Sequence, residues 1–174
     1  MVDLFLSEGF AHFTLDDLAG RLKCSKTTLY SLAESREQLV RAATVHFFRR
    51  ATVEIDRNLV AVTSASERIT TYLAAAGRAL SVASEQFMVD LDDFAPAREV
   101  YEENTAAAAL RVQEMIADGV ASGDLRDVHA GFAADLATAS MTRILRGEVR
   151  ASTGLDAGQA YQELASILTT GISA

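Results

Sequence analysis

Ser25, Lys26, Thr27 and Thr28 set one ammonium and three hydroxyls side by side, with Leu29 and Tyr30 immediately after them. On a helix, Lys26, Thr27 and Thr28 make a small, polar, basic face of the kind that enters a DNA major groove. Most Lys/Thr runs are only a solvated surface. Here a capping serine precedes the run and an apolar Leu29 lies behind it, which favours contact with DNA. Lys23, three residues earlier, adds a second cation suited to backbone phosphate.

No other cluster suggests bond-making chemistry. His12, His46 and His129 fall on separate segments, without the paired spacing that binds a metal. Asp90, Asp92 and Asp93 read as a solvated acidic face near a helix end. Cys24 stands alone where a small apolar residue would pack, so it reads as a core thiol. Neither a nucleophile–base pairing nor a glycine-rich phosphate loop is present. We expect no catalytic residue, no metal and no cofactor.

The elements that position the polar run are marked by dense helix punctuation. Thr14-Leu15-Asp16-Asp17 has the form of a capping box, so Thr14 serves as a cap, a phosphate contact or both. Leu15, Leu18, Ala19 and Leu22 then give a short helix its apolar side. Ser25 caps a second short helix running to about Leu32, and Ser35-Arg36-Glu37-Gln38 opens a long third one. Two short helices three residues apart, followed by a long capped one, form a helix-turn-helix layout. Leu18, Leu22, Cys24 and Leu29 supply its apolar lock.

The remainder reads as helix throughout. Segments run from Ser64 to about Ser84, from Glu85 to Phe94, and from about Arg98 to Ala121. Asp127 opens a helix to about Ala151, and Asp156 opens a last one ending near Gly171. The expectation is an all-α chain of about nine helices. It divides into a helix-turn-helix domain over residues 1–44 and a helical bundle over residues 45–174. Composition agrees: 31 alanines, one proline and no tryptophan among 174 residues favour helix over strand.

The net charge of −8 is unevenly distributed. Residues 1–50 hold seven Lys/Arg against six acids, and residues 51–174 hold nine arginines against eighteen acids. An acidic body with a near-neutral tip fits a DNA-binding module joined to a second domain. No apolar run is long enough to span a membrane, and the start of the chain lacks the layout of a signal peptide, so the expected compartment is the cytoplasm.

The pattern Leu4-Phe5, Glu8-Gly9-Phe10, Thr14, Leu18-Ala19, Ser25-Lys26-Thr27-Thr28-Leu29-Tyr30 and Ser35-Arg36-Glu37-Gln38-Leu39 resembles the N-terminal domain of the TetR family. Ala117 to Arg126 is similar to the end of that family's seventh helix. The resemblance implies a DNA-contact set of Thr14, Lys23, Ser25, Lys26, Thr27, Thr28, Tyr30 and Arg36. In it, Tyr30 and Arg36 act on backbone phosphate. Three departures accompany it. Lys23 replaces the usual turn glycine, which calls for a left-handed lysine. Ala33 replaces an aromatic residue, and the chain begins inside the family's first helix.

The resemblance also implies a ligand pocket in the bundle and pairing of the last two long helices with those of a second copy. Bulky and polar groups suited to the pocket are Tyr72, Phe87, Met88, Tyr101, Asn104 and Met115. No lysine follows residue 50, so the expected effector is small and apolar, neutral or cationic. Small residues let helix axes approach closely, and the eighth helix is rich in them. Phe132, Leu136, Ser140 and Ile144, with Tyr161, Leu164 and Leu168 on the last helix, form the expected dimer face. The implied function is a one-component, ligand-responsive transcriptional regulator, most often a repressor, acting as a homodimer on a palindromic double-stranded DNA operator. The rival is a helical small-molecule-binding or scaffolding protein of the same fold that has lost operator binding.

Overall fold

A computed structural model describes residues 1–173, and ten helices hold most of them. The first four are α1 (Val2–Glu8), α2 (Leu15–Arg21), α3 (Lys26–Leu32) and α4 (Arg36–Leu59). Next come α5 (Ala65–Ser81), α6 (Glu85–Asp93) and α7 (Ala95–Ser122). The last are α8 (Ala130–Leu145), α9 (Glu148–Thr153) and α10 (Ala157–Ile172). Among the described residues there is no strand, only a lone bridge between Leu125 and Ser173. The all-α expectation holds, with one helix more than anticipated.

The extra helix comes from a break at Gly147. Its φ of 71° is left-handed, which ends α8 and lets α9 begin. The start of α8 also lies later than expected. His129, and not Asp127, is its cap, its Nδ1 accepting the Phe132 N–H at 3.2 Å. Elsewhere the local signals hold. Thr14 and Asp156 form complete capping boxes, while Ser25 and Ser35 each accept a backbone N–H three residues on, both at 3.1 Å.

The chain forms two compact units, divided within α4, between α5 and α6, and within α7. The first comprises Met1–Arg50 and Val82–Glu103, so α6 and the start of α7 belong with the helix-turn-helix. Its core is aromatic. Phe5, Phe10 and Phe87 follow one another at centroid distances of 5.6 and 5.9 Å. Phe47, Phe48 and Tyr101 continue the chain at 5.8, 5.0 and 5.8 Å. Tilted and edge-on pairs at such separations contribute about 0.5–1.5 kcal/mol each beyond area burial.

The second unit comprises Ala51–Ser81 and Asn104–Ala174. Ile69 and Leu73 of α5 and Val112 and Ile116 of α7 are wholly buried there. Full burial of such a side chain contributes about 1.5–3 kcal/mol. Helices α5 and α10 pack closely because Gly77 leaves room for Tyr161; a Cβ at Gly77 would lie 2.7 Å from the Tyr161 Cβ. The end of α10 is tied back by Arg126, whose Nε donates to the Gly171 carbonyl at 2.7 Å.

Candidate nucleic-acid interface

Helices α2 and α3 pack on one another, and Leu18 of α2 and Leu29 of α3 are both nearly inaccessible to solvent. The turn between them is tight. Cys24 N–H donates to the Ala19 carbonyl at 3.0 Å, and Lys23 takes φ 52°, alone among the non-glycine residues described. That conformation costs an L-residue roughly 1–2 kcal/mol. The left-handed lysine expected from the sequence is therefore present. Cys24, expected as a core thiol, is only half-buried.

Capping fixes the first turn of α3. Ser25 Oγ accepts the Thr28 N–H and lies 2.9 Å from the Thr28 hydroxyl, so the side chain of Thr28 is held against its own helix start. Lys26, Thr27 and Thr28 are exposed, as is Tyr30, half of whose surface faces solvent. Lys26 Nζ pairs with Asp16 Oδ1 of α2 at 2.7 Å, and that hydrogen bond raises its already high pKa. Thr14 caps α2: its hydroxyl accepts from Asp17 N–H and donates to Asp17 Oδ2 at 2.6 Å. These bonds from Thr14 hold the Asp17 carboxyl below the usual carboxylate range.

Arg36 has partners the sequence did not suggest. Its Nε donates to the Phe13 carbonyl at 2.8 Å, and its Nη2 to the carbonyls of Phe10 at 2.6 Å and Ala11 at 2.9 Å. The guanidinium also lies 5.7 Å from the centre of the Phe94 ring. The α1–α2 turn thus hangs on the first residue of α4.

Asp90 corrects the reading of an acidic surface cluster. Asp92 and Asp93 are partly or fully exposed, but Asp90 is only 3% exposed and accepts the backbone N–H groups of Phe10 and Ala11. A signal was present in the sequence. Phe87, Asp90 and Leu91 share the three-and-four spacing of one helix face, which places the acid on the buried stripe of α6. What the spacing could not give was its partner, some 80 residues distant in the chain.

The residues expected at the pocket fall into both compact units. Phe87 and Tyr101 are buried, and Met88 half-buried, in the first; Tyr72 and Met115 are buried, and Asn104 half-buried, in the second. Tyr72 lies beneath the Arg111 guanidinium, which is paired with Asp56 at 2.5 Å. Burial pushes the Tyr72 hydroxyl pKa up. Of the residues expected at a dimer face, Phe132 is 63% and Leu136 51% exposed. Ser140, Leu164 and Leu168 are half-buried, whereas Ile144 and Tyr161 lie in the core of this chain. Among the described residues no group of three or more His, Cys, Asp or Glu is placed to hold a metal, and no helix is long and apolar enough to cross a membrane.

Solved structures with this arrangement of helices are similar over nearly their whole length. A candidate transcriptional regulator from Saccharomonospora viridis, in complex with choline, superposes with a TM-score of 0.80 at 17% identity, covering 99% of this chain and 93% of that one. A TetR-family regulator from Cytophaga hutchinsonii gives 0.75 at 17%, covering 99% and 90%. The TetR-family regulator PfmR from Thermus thermophilus gives 0.70 at 16%, covering 97% and 94%. The chain has the TetR fold. No family model and no curated protein matches the sequence. At these identities the likeness is one of fold, and in that fold α2 and α3 are the helix-turn-helix described above.

Proposed function

We propose that this chain is a one-component, ligand-responsive transcriptional regulator, most simply a repressor, that binds a palindromic operator as a homodimer. The observation that carries the reading is the face of α3. A cation and two threonines stand exposed on a helix whose first turn is pinned by Ser25 and whose inner side is anchored by Leu29. Thr27 and Thr28 read base edges, while Lys23, Lys26 and Tyr30 reach phosphate. The acidic body suppresses non-specific attachment to DNA, which leaves discrimination to α3.

The homodimer forms through the exposed apolar groups of α8 and α10, because two half-sites related by symmetry require two recognition helices. The choline in the Saccharomonospora viridis structure supports an effector that is small, largely apolar and neutral or cationic. Tyr72, Asn104 and Met115 of the second unit are the contacts assigned to it. Such a ligand switches the protein only by binding one state more tightly than the other.

Selection of genomic fragments by the full chain tests the reading. A regulator enriches one palindromic sequence, and Thr27→Ala with Thr28→Ala abolishes the enrichment while leaving weak binding to random DNA. A folded chain that enriches no sequence yet binds small ligands is instead a binding protein on the same fold.

A further inference from the structure

The segment between α1 and α2 lacks regular structure but is held from two sides by opposite charges. Phe10 and Ala11 point their N–H groups at one oxygen of Asp90, Ala11 at 2.7 Å and Phe10 closer still. The same two residues point their carbonyls at Nη2 of Arg36. The second oxygen of Asp90 accepts the Gln86 side-chain amide at 2.7 Å, so both carboxylate oxygens are satisfied in a nearly dry site. Gly9 makes the approach feasible. It takes φ 79°, and a Cβ there would lie 2.5 Å from Asp90 Oδ2. A further tie joins α6 to α1, where Ser84 N–H donates to the Leu6 carbonyl at 2.7 Å.

Dipoles aligned between a buried anion and a cation fix a backbone more firmly than neutral bonds would. Phe13, whose carbonyl Arg36 also holds, immediately precedes the Thr14 cap of α2. The entry of α2 is therefore set by α6 and α4, and α3, which packs on α2, inherits that setting.

We propose that Asp90 and Arg36 are a pair of positioning residues for DNA recognition, and that Arg36 acts through the α1–α2 turn and not through phosphate. This rests on the DNA-binding reading above. A phosphate contact and a positioning role differ in their salt dependence. Loss of one phosphate contact lowers the slope of log affinity against log salt by about one unit, whereas loss of positioning weakens the complex without releasing fewer counterions.

The test uses the full chain with its selected site, comparing Asp90→Asn, Arg36→Ala, Arg36→Lys and the double variant Asp90→Asn/Arg36→Ala. Amide exchange at Phe10 and Ala11 reads the turn directly, with α5 and α10 amides as the folding control. Gln86→Ala, which frees only one carboxylate oxygen, serves if Asp90→Asn does not fold. We expect Phe10 and Ala11 to exchange about tenfold faster or more in each single variant, and operator affinity to fall about tenfold. The salt slope should stay at its wild-type value. The double variant should lose less than the product of the two single losses, since both residues hold one turn. Lysine at position 36, a point donor in place of a fork, should not restore binding. Protected amides with a slope lower by about one in Arg36→Ala would overturn the assignment and leave the regulator intact. Faster exchange with unchanged operator affinity would overturn it as well. A wild-type chain that selects no site would overturn the regulator reading and this assignment together.

Discussion

The Lys26 ammonium lies 2.7 Å from the Asp16 carboxylate, so the one cation on the proposed reading face is paired across the helix-turn-helix before any DNA arrives. Both side chains are half-exposed or more, and the pair is easily exchanged for phosphate. Asp16 also places negative charge beside the incoming backbone. Asp16→Asn should therefore strengthen binding to operator and random DNA alike by a few-fold at low salt, with the gain shrinking as salt rises. Fluorescence anisotropy on both DNAs measures it. A loss of affinity would mean that Asp16 orients Lys26 productively.

Lys23 separates stability from affinity. Its φ of 52° suits glycine better than lysine. Lys23→Gly should stabilise the chain by about 0.5–1 kcal/mol in urea unfolding, after allowance for the freer unfolded chain. The same substitution should lower the salt slope of DNA binding by about one, because the proposed phosphate contact is removed. A more stable protein that binds DNA less well is the expected signature.

The capping box of α2 carries a pH dependence whose direction is set by Asp17. Bonds from Thr14 depress its folded pKa, so the ionised carboxylate favours the folded state. That contribution is fully present above the unfolded value of about 3.9 and is lost as pH falls through the lower folded value. Acid should loosen the start of α2, seen as faster amide exchange at Asp17 and Leu18. In Asp17→Asn this acid step should be missing.

Gly77 of α5 faces Tyr161 of α10 at close quarters. An added Cβ would meet the Cβ of Tyr161, an atom near the backbone that has little freedom to move aside. Gly77→Ala should destabilise the chain by about 1–3 kcal/mol despite the better helix propensity of alanine. Thermal or urea unfolding checks the sign. Gly171→Ala, on the same helix pair but with open space around its Cβ position, should be neutral or stabilising.

These cases also mark what the sequence disclosed. Thr14, Ser25, Ser35 and Asp156 were legible because a cap acts within four residues, and helices α2, α3, α4 and α10 start where those caps stand. The left-handed Lys23 was legible through the resemblance, in which a glycine usually fills that turn position. Asp90 and Arg36 were not. Their meaning depends on partners about 80 and 25 residues away, and neither spacing nor hydropathy encodes which backbone groups a folded turn will turn toward them. The break at Gly147 lies between. A glycine permits a left-handed residue but does not require one, and Gly77 and Gly119 continue inside their helices.

The last prediction concerns α8 and α10, where burial within one chain separates two kinds of apolar residue. Leu136 is 51% and Ile167 70% exposed, although both are large and apolar. Ile144 and Tyr161, on the same two helices, are enclosed by their own chain. If the exposed set forms the contact with a second copy, Leu136→Glu or Ile167→Glu places a charge in an apolar interface with no partner. The monomer has nothing to lose by it, since both positions already face water. Sedimentation should then show monomers with the wild-type helical content. Ile144→Ala, by contrast, opens a cavity in the protomer and should cost about 2–5 kcal/mol of unfolding free energy. Operator binding should fall steeply in the glutamate variants, because a half-site held by one recognition helix forfeits the second helix's contribution. Dimers that persist at micromolar concentration in both glutamate variants would move the interface off these helices. Monomers that still bind the full palindrome as tightly as wild type would break the link between symmetry and recognition on which the operator model rests.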